Sequence, residues 1–238
     1  MDFLIGLFNS LIFEPLLNFL IVVVNFVPGH ALGPAIVLVT VIIRLILYPL
    51  SHKALISQRK LFALQPEVKK IQEKLKDNKQ EQSKVIMELY KKEKINPLAG
   101  CVPFLIQIPF IFGLYRVFLF ELTPDNLPPL YSLVSMPESI STVFLGISLS
   151  QPSVILALLA AVSQFFLSKF MFSRRKNMGL SSGKKNDLQS MMGKQMTYVL
   201  PVVTFFIAQS FPAGLALYWV TTTLFSFGEQ YIINRKIS

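Results

Sequence analysis

A few charged and polar side chains interrupt otherwise apolar runs of this sequence. The stretch VTVIIRLILYPL, residues 39–50, carries Arg44 among aliphatic residues, and Thr40 lies four residues earlier on the same helical face. A guanidinium is always charged and offers five N–H donors, so in apolar surroundings it calls for an anionic partner. The chemistry these residues predict is therefore the binding of a negatively charged group.

Polar side chains also occur at depth in the other apolar runs of the chain. They are Gln107, Ser163, Gln164, Thr204, Gln209, Thr221, Thr222 and Thr223. Polar groups in lipid are costly unless they meet one another or water, so any one of them can simply hold helices together. Together with an arginine they indicate a hydrated groove.

Two interpretations of Arg44 fit the sequence. It lies six residues before the end of its run, about 9 Å along a helix, so its side chain can reach the inner headgroups. Alternatively it faces a water-filled cavity, and its anionic partner arrives from outside the protein. The polar residues at depth favour the cavity, and Glu229, near the end of the last run, is only a weak internal partner. Arg116, close to Glu121, is explained by reaching to the outer surface.

The apolar runs predict an all-α polytopic membrane protein. Of the 238 residues 53% are hydrophobic and only 15% are charged, whereas soluble domains carry about 25% charged residues. A chain of this size has too little core to hide several long apolar runs, so lipid is the predicted solvent. Five spans are predicted, at 33–50, 98–120, 152–171, 196–211 and 213–233. Pro212 and Gly214 predict a tight turn between the last two.

The distribution of Lys and Arg predicts the orientation. Of the 23 basic residues, twelve lie in 51–97, seven in 168–196 and two in the tail 234–238, whereas 1–32 and the predicted external loop 121–151 have none. The positive-inside rule therefore places 51–97, the basic loop 172–195 and the C-terminus in the cytosol. The net charge of +10 is then explained without a DNA partner, and contact with ribosomal RNA stays open as a secondary role.

Residues 1–32 are predicted to form an external amphipathic segment. The run 13–27 is about 22 Å long as a helix, too short to span, and Glu14, Asn18 and Asn25 share one stripe. We expect a helix lying on the outer surface. The alternative joins it to FLIGLFNSL as a further span, against which Pro15 and the lack of a cationic flank argue. With an aspartate at position 2, no cleaved signal is expected.

The cytosolic segment 51–97 is predicted to be a helical hairpin. A coiled-coil seam precedes the turn sequence KDNK at 76–79, and a second apolar face follows it. The seam consists of Leu61, Leu64, Val68, Ile71 and Leu75, and the second face of Val85, Ile86, Leu89 and Tyr90. The hairpin either only connects two spans or is a platform for lipid headgroups or a partner, and its length favours the platform.

Catalytic and metal-binding patterns are absent from the sequence. The single cysteine is Cys101, and His30 and His52 lie outside any ligand-spaced cluster. We find no glycine-rich phosphate loop and no Ser/His/Asp grouping. No enzyme activity, metal or cofactor is expected.

Four stretches resemble the signatures of the YidC family of membrane protein insertases, which includes the Oxa and Alb branches. They are VIIRLILYPL, LQPEVKKIQEKLKDNKQ, NPLAGCVPFLIQIPFIFGLYR and FPAGLALYWVTTTL. The resemblance implies five core spans, an external helix, a cytosolic hairpin and a hydrophilic groove open to the cytosol and to lipid. The family's groove residues correspond here to Thr40, Arg44, Gln107, Gln164, Tyr218 and Trp219. Thr222 is assigned to the same groove from its depth in the last run.

The resemblance also implies a function and partners. The implied substrates are nascent membrane proteins whose acidic tails Arg44 attracts. The implied location is the bacterial cell membrane, and the ribosome and the Sec translocon are candidate partners. The shorter type without a large external domain is the better match, and the tail after Tyr231 is too short for docking to a ribosome through a long basic extension. A small-solute transporter or channel, or a scaffold acting through the hairpin, are the alternatives.

Overall fold

The structure, a computed structural model, describes residues 2–96, 102–119, 130–175 and 188–236. The predicted helical class is confirmed, since helices make up most of the described chain. In chain order they are α1 (Asp2–Phe8), which continues through a π-helical turn (Asn9–Phe13) into α2 (Glu14–Phe26), then α3 (Leu32–Ala63), α4 (Gln65–Lys74), α5 (Lys79–Lys92), α6 (Val102–Leu119), α7 (Val154–Arg175), α8 (Leu188–Gln209) and α9 (Ala213–Lys236).

Three of the described helical segments are long and apolar enough to cross a membrane: Ile5–Phe26, Leu32–Ala63 and Val154–Met171. The second and third coincide with the predicted spans 33–50 and 152–171. The apolar part of α8, Thr197–Gln209, is shorter. Part of the predicted span 98–120 lies outside the described residues, so the count of five spans stays a prediction.

Several helices extend beyond the ends expected from hydropathy. Helix α3 continues past Leu50 to Ala63, α7 continues to Arg175, and α8 already begins at Leu188. The predicted bounds at residues 50, 171 and 196 therefore do not coincide with helix ends, and as bounds of membrane spans they stay predictions. Hydropathy identifies only the apolar part of a helix, which is the part that can lie in lipid. Helical hydrogen bonding continues through polar residues of good helix propensity such as Lys, Gln and Arg.

The seam expected before the turn is not one continuous helix. Helix α3 ends at Ala63 and α4 starts anew at Gln65, where Pro66 occupies the first turn, a position that proline favours. The two helices on either side of residues 75–78 are joined by a 3.1 Å hydrogen bond from the Gln82 side chain to the Gln72 carbonyl. The cytosolic location of this pair remains a prediction.

Two side chains of the polar stripe of α2 bond protein backbone. Asn18 is only 3% exposed, and its Oδ1 accepts a hydrogen bond of 2.7 Å from the backbone N–H of Tyr131. Asn25 donates to the carbonyl of Ser135, also at 2.7 Å. The two amides thus satisfy backbone groups of residues 130–135, and the location of the helix on the outer surface stays a prediction.

The N-terminal helix is also longer than expected. It is continuous from Asp2 to Phe26, about 37 Å at 1.5 Å per residue, so the argument that a short helix cannot span no longer holds. The side chains of Leu17, Leu20 and Ile21 are fully buried in the main core, which α3, α6 and α9 share.

Arg116 of α6 is held by this N-terminal helix. Its Nη1 donates to Oδ1 of Asn9 in the π-helical turn, and its guanidinium lies 4.9 Å above the centre of the Phe13 ring. The half-buried arginine therefore has partners inside the protein, in contrast to the expected reach to the outer surface. Glu121, its expected neighbour, lies outside the described residues.

We expect Arg116→Ala to loosen the N-terminal helix. A partly desolvated cation–π contact and a charged hydrogen bond together stabilise by about 2 kcal/mol, and both are lost. Faster hydrogen exchange at residues 9–13 and a lower melting temperature of the purified protein would be measured. Lys169→Ala is the matched control, since exposed Lys169 makes a 5.6 Å cation–π contact with Phe165. Equal effects of the two variants would contradict the clamp.

The predicted external loop contains a small β-hairpin, which the sequence analysis does not predict. Strands β1 (Val143–Phe144) and β2 (Ile147–Ser148) are antiparallel and are joined by Leu145 and Gly146, both with positive φ. Neighbouring residues then bind helix ends: the N–H of Leu32 donates to Ser141, and the N–H groups of Ala213 and Gly214 donate to Gln151 and Leu149, all at 2.9 Å. This segment thereby caps α3 and α9.

Candidate anion-binding cleft

An open cleft lies where α3, α6 and α9 meet. The empty space in the cleft, including the part that is open to the outside, is about 340 Å³. Its lining residues are Thr40, Ile43, Arg44, Leu47, Ser51, Gln107, Phe110 and Tyr218. Four of the seven predicted groove residues are therefore in one place.

Helix periodicity explains the contribution of α3. Residues 40, 44, 47 and 51 are spaced by three or four, so they form one face of the helix. The hydroxyl of Thr40 donates to the carbonyl of Ile36 at 2.6 Å, so it is satisfied within the helix while the side chain lines the cleft. Leu47 and Ser51 were missed from the sequence, although their spacing from Arg44 could have indicated them.

A chain of hydrogen bonds joins the three helices. Nη2 of Arg44 donates to Oε1 of Gln107 at 2.7 Å, and Nε2 of Gln107 donates to the Tyr218 hydroxyl. Both the oxygen and the nitrogen of the Gln107 amide are thus hydrogen-bonded, and the amide fixes the position of the guanidinium. Within the described parts of the chain Arg44 makes this one side-chain hydrogen bond and has no carboxylate within 4 Å. Most of its five N–H donors remain available to a ligand.

Gln164, Trp219 and Thr222 do not line this cleft. Nε2 of Gln164 lies 3.5 Å from the Ser168 hydroxyl on α7, which packs mainly against α8 and α9. Trp219 follows Tyr218 directly and so points about 100° away around α9, where it packs against the core. Thr222 is buried one turn after Tyr218 on α9. Their roles in a groove remain predictions.

Glu229 lies further along α9 than the residues that line the cleft. It is 5% exposed, and its Oε1 has no hydrogen-bond partner in the described structure. The cleft is thus a cationic site with one buried carboxylate further along α9. Across the described residues no three His, Cys, Asp or Glu side chains form a group that could hold a metal.

The geometry is suited to binding a carboxylate. A half-buried guanidinium attracts an anion more strongly than it would in bulk water, because the surrounding apolar side chains lower the local dielectric. Ile43, Leu47 and Phe110 provide those apolar walls. The cleft therefore combines an apolar surface with a fixed cation.

Comparison with known proteins gives matches over most of the chain. Residues 23–238 match the family model described as 60Kd inner membrane protein. Over 203 residues the chain is 39% identical to the membrane protein insertase YidC of Francisella tularensis subsp. novicida (strain U112), and equally to that of subsp. tularensis (strain WY96-3418). These alignments cover 85% of this chain and 32% of each relative, so the chain spans about a third of their length.

A solved structure is also similar. It is a crystal structure of an active YidC insertase with the first transmembrane domain resolved, and it superposes with a TM-score of 0.62 at 25% sequence identity. The superposition covers 94% of this chain and 46% of that chain. The arrangement of helices described above is therefore shared with an insertase.

Proposed function

The chain belongs to the 60Kd inner membrane protein family, and from this premise we propose that it inserts integral membrane proteins into the bacterial cell membrane. Its relatives named as membrane protein insertases support this activity. The observation that carries the proposal is Arg44, held by Gln107 in a cleft that three helices share. The proposed activity is to bind a substrate protein and transfer it into the membrane, without forming or breaking covalent bonds.

The proposed topology has five spans, with 51–97 and the C-terminus in the cytosol and the N-terminal helix along the outer side. Contacts at both ends of that helix support the last point. Asn9 meets Arg116 at the predicted outer end of the second span, and Asn25 meets Ser135 of the predicted external loop. In a helix crossing the membrane these two asparagines would differ in depth by about 24 Å, so they could not both meet external elements.

The proposed mechanism begins with the polar tail of a substrate entering the cleft from the cytosol. The cleft shortens the distance that the tail must cross within the hydrocarbon region of the membrane. Arg44 attracts acidic groups on the tail. The apolar segment of the substrate then partitions into lipid, which contributes about 0.8 kcal/mol per buried CH₂, and draws the tail across. Nascent membrane proteins are thus the substrates.

Reconstitution tests this function. The purified protein in liposomes should transfer the N-terminal tail of a single-span substrate to the lumen, where added protease cannot reach it, and protein-free liposomes should not. A parallel set of liposomes containing the Sec translocon shows whether insertion depends on it. Flux of small solutes without tail protection would overturn the proposal in favour of a transporter.

A further inference from the structure

The hairpin formed by β1 and β2 is fixed beside the first turn of α3. The N–H of Leu32 donates to the Ser141 carbonyl at 2.9 Å, which holds the start of the hairpin at the start of the helix. Phe144 of β1 packs so closely on α3 that Gly33 has no room for a Cβ beside its ring. Because α3 is long and apolar enough to cross a membrane from Leu32 onward, the hairpin lies at the end of that span.

The turn of this hairpin carries a leucine where the backbone favours a polar residue. Leu145 has a φ of +50° and Gly146 a φ of +77°, and Asn-Gly is a preferred sequence for a two-residue turn of this kind. A leucine in the left-handed region costs conformational energy, because its Cβ approaches the following carbonyl oxygen. The Leu145 side chain is also 86% exposed, whereas Phe144 and Ile147 beside it pack against the main core. Packing within the chain therefore does not explain this leucine.

Other apolar side chains at this end of the molecule are equally exposed. Among the large apolar side chains of the described residues, the three most exposed are Leu133, Leu145 and Phe26, at 95%, 86% and 85%. The chain segments that carry them are bonded to one another, since Asn25 donates to the Ser135 carbonyl at 2.7 Å and the N–H of Ser141 donates to the His30 carbonyl at 3.1 Å. The exposed leucine of the turn thus belongs to an apolar end of the protein.

We propose that the tip of the hairpin, Val143 and Leu145, inserts into the outer leaflet of the membrane and anchors the outer end of α3 to lipid. Val143 is exposed like Leu145, and both side chains gain by leaving water for the boundary between headgroups and acyl chains. The inference goes beyond the proposed function. It needs α3 to cross the membrane in the proposed orientation, but it depends neither on Arg44 nor on the insertion of a substrate.

Lipid fits this surface better than a second protein does. A stable protein interface buries about 800 Å² on each partner and involves roughly 20–30 residues a side, far more than the tip of a two-residue turn offers. Residues 139–168 contain no charged side chain, so uncharged chain continues from the hairpin into the apolar segment of α7 that begins at Val154. The tip is therefore continuous along the chain with a segment suited to lipid.

Fluorescence of a dye beside the turn tests this contact. The environment-sensitive dye NBD is attached to Val143→Cys in the full chain carrying Cys101→Ser, with one copy of the protein in each lipid nanodisc. Lipids brominated on their acyl chains should quench the dye, and aqueous iodide should not. Glu138→Cys is the matched control, because Glu138 is an exposed and charged residue of the same segment, and its dye should be quenched by iodide only.

Leu145→Asn separates contact with lipid from folding. Because Asn-Gly suits this turn, the amides of the hairpin should keep their protection from hydrogen exchange in the variant. In nanodiscs the same change should shift the emission of the Val143 dye to longer wavelength and remove most of its quenching by brominated lipid. Leu145→Phe, which keeps a large apolar side chain, should preserve both signals.

Several outcomes would rule the anchor out. They are iodide quenching of the Val143 dye while Leu145 is in place, an unchanged signal in Leu145→Asn, and loss of amide protection in that variant, which would assign Leu145 to the fold. Shielding of the dye from both quenchers would replace lipid by a protein contact. Failure of the native chain to insert substrates would refute the proposed function and leave the anchor standing.

Discussion

Arg44→Ala is expected to lower the insertion rate of substrates with acidic tails by about tenfold to a hundredfold. A charge-assisted hydrogen bond contributes about 1.5–3 kcal/mol, and about 1.4 kcal/mol corresponds to a factor of ten. Arg44→Lys should retain most of the rate, because one donor suffices for Gln107 and the positive charge remains. Protease protection of the tail in proteoliposomes, measured over time, gives the rates.

Substrates with neutral tails provide the first control, since their insertion should change little in Arg44→Ala. Arg235→Ala is a second control, because Arg235 is an exposed arginine at the end of α9, away from the cleft. A normal rate for acidic tails in Arg44→Ala would refute the charge-attraction mechanism. If deletion of residues 60–90 abolished function while Arg44→Ala did not, the scaffold interpretation would replace it.

The sequence could locate the face of one helix but not the contacts between helices. Arg44 and Thr40 are recognisable because a cation and a hydroxyl at a spacing of four stand out in an apolar run. The meeting of Arg44 with Gln107 and Tyr218 depends on the packing of α3, α6 and α9, about which periodicity carries no information. For the same reason Gln164, on α7, could not be separated from the lining residues.

The polar stripe of α2 shows a second limit. A row of Glu and Asn on an apolar helix has the same pattern whether water or a protein segment covers it. Here Asn18 and Asn25 each bond a backbone group of residues 130–135. Two-residue strands such as β1 and β2 leave no periodic signal at all, so the hairpin between them could not be predicted.

Gly214→Ala is expected to cause the largest loss of stability from a single added methyl group. A Cβ at this position would lie 1.9 Å from Cζ of Phe118 and within 2.8 Å of two further ring atoms. Phe118 is 6% exposed in the main core, so its ring has no open space to move into. Overpacking of this kind costs about 3 kcal/mol, which should appear as a lower melting temperature of the purified protein.

Gly228→Ala is the matched control, because Gly228 lies on the same helix and its added Cβ would meet no atom within 4 Å beyond its chain neighbours and the nearby backbone of that helix. Phe118→Leu should restore part of the stability of Gly214→Ala, since the smaller side chain removes the clashing ring atoms. Equal melting temperatures for the two alanine variants would contradict the close packing of α6 on α9. Because Tyr218 lies one turn beyond Gly214, a forced separation of these helices should also weaken the hydrogen bond between Tyr218 and Gln107 and reduce insertion.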